Sequence, residues 1–186
     1  MKGVFSSPDA ILEKTIFESL FPDTTYGAES GGDPDFIPTL TAEQFLDFHR
    51  QYYHPSNSYI FLYGSLDILD NLKFLDEAYL GNFNKMQVNS RISLQNAFEK
   101  RVDKIVDYPV AMGENLQDKT LMSLNFVVGH ATDAENSLAF QMLEYMLLET
   151  PAAPLKKALT AAGIGKDVAG TFVKSILQPT LGIIVT

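Results

Sequence analysis

The chain has no cysteine, which rules out disulfides, thiolate metal sites and cysteine nucleophiles and fits a reducing, cytoplasmic setting. Long apolar runs are also missing. The longest, near residues 59–63 and 126–129, are strand-sized, well short of the ~20 residues a membrane helix needs. Positive charge is scarce: 14 Lys+Arg stand against 23 Asp+Glu, a formal net charge of −9. The basic residues are scattered, with Arg101 and Lys104 the nearest approach to a cluster. Nucleic-acid binding needs concentrated cations to neutralise phosphates, so neither nucleic acid nor a membrane is expected as a partner. An acidic surface can steer basic peptides, although ordinary solubility explains it as well. Residues 1–7 carry one Lys and no apolar stretch, so no secretory signal is expected there. What is present suits a packed core: 46% of the 186 residues are hydrophobic and 11% aromatic, as in ordinary globular chains.

Ser7-Pro8-Asp9 has the form of a helix start, with a capping serine, proline in the first turn and an acid at the positive end of the dipole. Ile11, Leu12, Ile16 and Leu20 then share a face until Pro22. Residues 26–38 are rich in Gly, Asp and Pro and read as an ordered loop anchored by Phe36 and Ile37. Thr41 and Gln44 form a capping-box pattern opening a helix to about Tyr53, with Phe45, Phe48 and Tyr52 as its buried stripe. His54-Pro55-Ser56-Asn57 turns the chain. Residues 58–63 are dense in β-branched and aromatic types and predict a central strand, ended by Gly64. Leu69, Leu72, Leu75 and Tyr79 mark an amphipathic helix closing near Gly81.

Residues 82–96 are polar and aperiodic and read as a connector. Residues 101–108 predict a half-exposed strand, and 111–119 a loop. In 120–128 Met122, Leu124, Phe126 and Val128 alternate with polar residues, the period of a strand with one buried face. Asp133 caps a helix to about Glu149 with Leu138, Met142, Tyr145 and Met146 on one side. A second helix restarts at Thr150-Pro151, carries Leu155, Ala158, Leu159 and Ala162, and stops at Gly163 and Gly165. Strands are expected at 171–177 and 181–185. Strand, helix, helix, strand, strand predicts an α+β fold.

The three histidines do not form a metal pair. His49 and His54 lie five apart, on different sides of a helix, whereas helical zinc pairs need a spacing of three or four; structural roles are expected for both. His130 follows a strand, with Asp133 close by, an arrangement open to catalysis but also ordinary at turns. Glu29, Asp33 and Asp35 superficially resemble a calcium loop but lack its bidentate Glu, and Pro34 interrupts them. No nucleophile elbow or phosphate-binding glycine loop is present; Gly163-Ile164-Gly165 follows a helix and acts as a stop. On these residues alone there is no complete active site.

Several stretches nevertheless resemble, in order, the presequence-protease branch of the insulinase (pitrilysin) family of zinc metallopeptidases. They are Met1-Lys2-Gly3-Val4-Phe5-Ser6-Ser7-Pro8-Asp9, Phe21-Pro22-Asp23, Thr25-Tyr26-Gly27, Ser30-Gly31-Gly32-Asp33-Pro34, Ile37-Pro38 and the run from Phe48-His49-Arg50-Gln51-Tyr52-Tyr53 through His54-Pro55-Ser56-Asn57. Leu62-Tyr63-Gly64, Thr150-Pro151-Ala152-Ala153-Pro154-Leu155, Ala162-Gly163-Ile164-Gly165 and Leu177-Gln178-Pro179 complete the set. In that family zinc is held by His-x-x-Glu-His and a later Glu in an Asn-Glu-Met-Lys-Gly segment, and the Glu of the first motif serves as general base. The resemblance implies that Met1 matches the Met of that segment and that all ligands precede this chain. No catalytic, cofactor-binding or metal residue therefore transfers onto it, and no zinc is expected in it. The resemblance further implies that residues 1–83 end a first domain, that 84–99 link, and that 100–186 begin a second. Each domain would be an antiparallel-rich sheet with helices on one face. The parent protein would degrade short unstructured peptides; the alternative is a non-catalytic, substrate-holding relative. Sheet edges left open by such a cut would favour association between copies.

Overall fold

Elements begin where short-range chemistry sets them. In the computed structural model, which describes residues 7–186, helix α1 spans Pro8–Leu20 with proline in its first turn. Ser7 is extended at its N-cap, but its side chain makes no capping bond. Helix α2, Ala42–Tyr52, starts on a complete capping box: the Gln44 amide N–H donates to Thr41 Oγ1 while the Gln44 side chain accepts from the Thr41 N–H. His54-Pro55 forces a short 3-10 turn over Pro55–Asn57. Asp67 caps α3, Ile68–Ala78, by accepting from the N–H groups of Leu69 and Asp70. Residues 1–6, and with them the first matched stretch up to Ser6, lie outside the described residues.

The C-terminal part is α+β. Strand β1, Met122–Val127, is followed by α4, Ala134–Glu144, a π-helical turn at Tyr145–Glu149, α5 at Pro154–Ala161, β2 at Val168–Val173 and β3 at Thr180–Val185. Asp133 caps α4 by accepting from the Asn136 N–H. The three strands form one antiparallel sheet in the order β1-β3-β2. β3 is central, and β1 and β2 each keep one open edge. The second helix starts at Pro154 rather than at Pro151 because the chain first widens, the Thr150 N–H bonding the Tyr145 carbonyl. Such a turn holds the chain out of α geometry until Pro154 restarts it. Gly163, at φ +69°, ends α5 in the left-handed region.

The core lies between this helical layer and the sheet. Leu148, Val168 and Val185 are buried together, with Leu147, Leu155, Leu159 and Ile183 packed around them, and the Phe140 and Phe172 rings stack at 6.5 Å. The cover stops short of β1. Met122, Leu124 and Phe126 lie opposite Val185, Ile183 and Leu181, and opposed residues share a sheet face. They are nonetheless exposed. The predicted period is right, but the burial it implied is not.

The chain separates into two compact units, Met1–Pro34 with Ile92–Thr186, and Asp35–Arg91. In the second unit no residue is fully buried. The Phe45 and Phe48 stripe of α2 and the Leu69 and Leu72 stripe of α3 face outward, and Phe36, expected to anchor the loop, is 70% exposed. Residues 58–63 form no strand: Phe61 is 86% exposed and Tyr63 88%. A strand needs a neighbour for its backbone groups, and the unit offers none. The expected strand at 101–108 is also missing, although its unit contains a sheet with open edges; the segment pairs with neither edge, and Ile105 is fully exposed.

Candidate functional site

Each histidine has a local structural role. The His49 ring stacks on Tyr53 at 4.8 Å. His54 Nδ1 accepts from the Ser56 N–H at 3.1 Å, and its ring meets Phe83 edge-on at 5.3 Å. His130 Nδ1 lies 2.8 Å from Thr132 Oγ1, not against the Asp133 carboxylate, which is committed to capping α4. The pairing of His130 with Asp133 suggested by their spacing is therefore absent.

The acidic loop is spoken for as well. Asp33 accepts a 3.1 Å hydrogen bond from Lys14, and that bond holds the Lys14 ammonium above the usual lysine range. Glu29 folds back to accept from the Gly31 N–H. Among the described residues no group of three or more His, Cys, Asp or Glu side chains could hold a metal ion. The zinc that the resemblance implies is not one that these described residues fit. No helix among them is long and apolar enough to cross a membrane.

Two polar residues that the periodicity passed over are placed by the fold. Glu144, at the end of α4, is half-buried with its carboxylate against Gly170 of β2. A Cβ at Gly170 would overlap Glu144 Oε1 and come within 2.8 Å of Leu148. Burial raises the Glu144 pKa above the ordinary carboxylate value, and Glu149 adds to the shift. The charged form is thus disfavoured in the fold. This cost is absent while the group is protonated in both states, and it appears as pH rises through the raised folded-state pKa. Glu144→Gln should accordingly be more stable than the unsubstituted chain at pH 7, with the gap closing below about pH 4; urea titrations at both pH values test this, and a gap independent of pH contradicts it. The second residue, Gln95, lies in the polar connector, where composition gave no sign of it. It is 6% exposed and bonded to both Asp23 and Gln178. No local sequence signal marks it, because Asp23 and Gln178 lie 72 and 83 residues away along the chain.

Residues 39–186 match the family model described as the peptidase M16 inactive domain. Protein HypA of Clostridium perfringens (strain 13 / Type A) is 51% identical over 185 residues, covering 100% of this chain and 19% of that protein. The presequence protease 1, chloroplastic/mitochondrial, of Arabidopsis thaliana is 40% identical over 187 residues, 98% of this chain and 17% of that protein. The mitochondrial presequence protease of Mus musculus is 33% identical over 168 residues, 90% of this chain and 16% of its own length. The chain spans less than a fifth of the length of each of these relatives.

Proposed function

This chain belongs to the peptidase M16 family, and we propose that it is an internal, non-catalytic segment of a zinc-dependent endopeptidase that degrades short unstructured peptides. The supporting observation is a combination. The family match and the named presequence proteases point to peptide hydrolysis, while every histidine here is engaged away from a metal geometry. On this reading the segment is a wall and connector of the peptide-enclosing body. Residues 1–83 finish one domain, 84–99 link, and 100–186 open the next. The compact units seen here follow contacts within this chain alone, so they need not coincide with the domains of a longer protein. The exposed apolar helix faces and the open edges of β1 and β2 fit the same reading.

The parent's peptide substrates follow from the relatives' names rather than from any group in this chain. A cytoplasmic setting, inferred from the missing thiols, draws no support from those names, which place the plant and mouse proteins in chloroplasts or mitochondria.

A second reading, a substrate-holding relative without ligands, is favoured by the description of the matched domain as inactive. The residues preceding Met1 in the parent gene separate the two. The enzyme reading expects His-x-x-Glu-His upstream and Glu immediately before Met1, with chelator-sensitive hydrolysis of a fluorogenic unstructured peptide by the intact parent. A parent without that motif or that turnover belongs to the second class.

A further inference from the structure

Gln95 carries four hydrogen-bonding groups, and all four are used on two segments remote in sequence. The Asp23 N–H donates to Gln95 Oε1 at 3.0 Å, and Gln95 Nε2 donates to Asp23 Oδ2 at 2.7 Å. On the main chain, the Gln95 N–H donates to Gln178 Oε1 at 2.6 Å, and Gln178 Nε2 donates to the Gln95 carbonyl at 3.1 Å. Neither amide can be turned over: a flipped Gln95 would point its oxygen at the Asp23 carboxylate, and a flipped Gln178 would oppose like groups on both of its bonds. A fifth bond runs parallel, from the Leu177 N–H to the Tyr26 hydroxyl at 3.0 Å.

Apolar packing seals both ends. Phe21 and Pro179 are fully buried, and Phe21 packs against Phe17 and Tyr26 with ring centroids 6.0 and 5.5 Å apart. On the far side the Pro179 and Leu177 carbonyls accept from the N–H groups of Val128 and Ala131, which ties the turn before β3 to the end of β1. Gln95 therefore bolts the end of the connector to two remote segments at once. We infer that Gln95 is a positioning clasp that couples the segment following α1 to the turn preceding β3, so that loosening either side releases the other. The coupling itself stands on this geometry. Its consequence rests on the domain division proposed above: the clasp would fix the segment following α1, in the first domain, against the turn preceding β3, in the second.

Hydrogen exchange on the intact parent protein tests the clasp without relying on peptide hydrolysis. Gln95→Leu removes the two side-chain bonds to Asp23 and leaves the main-chain bonds to Gln178 in place. Coupling predicts exchange faster by about tenfold or more at residues 23–27 and also at 176–179, which the altered side chain does not touch, with β1, β2 and β3 still protected. Gln178→Ala, cutting the opposite arm, should loosen 23–27 in the same way, and the double variant should add little to either single change. Should Gln95→Leu fail to fold, Asp23→Ala at an exposed position removes one of the two bonds on that arm, the one from Gln95 Nε2, without leaving a cavity. Exchange that rises only next to each substitution, or adds fully in the double variant, overturns the inference. An unsubstituted parent that cuts no peptide would sink the proposed function and leave this result standing.

Discussion

Phe21→Ala should destabilise the α1-and-sheet unit by roughly 3–5 kcal/mol, the usual loss for a large aromatic removed from a core that cannot collapse around the void. Phe21 is 0% exposed, packs between Phe17 and Tyr26, and its carbonyl accepts from the Thr24 N–H in the turn that follows. A Cβ on Gly27 would strike that same carbonyl, so the turn cannot close in over an emptied ring site. The loss is a large part of the 5–15 kcal/mol that holds a typical domain. Urea unfolding followed by far-UV circular dichroism measures it, and a shift under about 1 kcal/mol would show that the ring is not a keystone.

Association between copies is the second large effect. Residues 58–63, Ser-Tyr-Ile-Phe-Leu-Tyr, carry no charge, no proline and no glycine, form no strand, and expose Phe61 and Tyr63 almost entirely. That is the composition of a segment that pairs with another strand when one is offered. Two copies of a chain with net charge −9 repel one another over most of their surface, and least along this uncharged run. The isolated chain should sediment as dimers and larger species at high concentration, and Phe61→Lys should return it to the monomer by placing a charge where the strands would meet. A monomeric unsubstituted chain contradicts the expectation, as does association unaffected by Phe61→Lys. The Phe21→Ala measurement is best made in the Phe61→Lys background, where unfolding is not coupled to assembly.

Local chemistry was the legible part of this chain. The capping box at Thr41 and Gln44, the Asp133 cap, the turn at His54-Pro55 and the stop at Gly163 each depend on residues within a few positions of one another, and each formed as its residue types require. The order of elements in the C-terminal part followed from the switch between periods of two and 3.6. Burial did not follow. Met122, Leu124 and Phe126 alternate as a buried strand face should, yet each stays about half exposed, and Phe45, Phe48, Leu69 and Leu72 repeat the pattern on helices. Periodicity reports which face is apolar, and whether that face is covered depends on partners at any distance. A chain spanning less than a fifth of its relatives can carry faces whose partners lie elsewhere.

β2 also fell earlier than expected, at Val168–Val173 rather than 171–177. Its register is set by pairing along β3, where Val168 opposes Val185 and Val173 opposes Thr180. Gln95 was illegible for a different reason: its four bonds reach Asp23 and Gln178, and no window of local sequence contains either. Glu144 was hidden similarly, since its environment is made by Gly170 across the layer. The histidines show the converse. The 49/54 spacing argued against a metal pair, and the structure gives each ring its own neighbour.

The measurement closest to the central claim is zinc content and peptide hydrolysis on the same purified sample of this chain. A segment that supports a catalytic centre built by residues outside it should hold no stoichiometric zinc after dialysis and should leave a fluorogenic unstructured peptide uncut, with or without added metal. Bound zinc at one per chain together with turnover that a chelator abolishes would contradict the account, because the three histidines here would then have to be ligands.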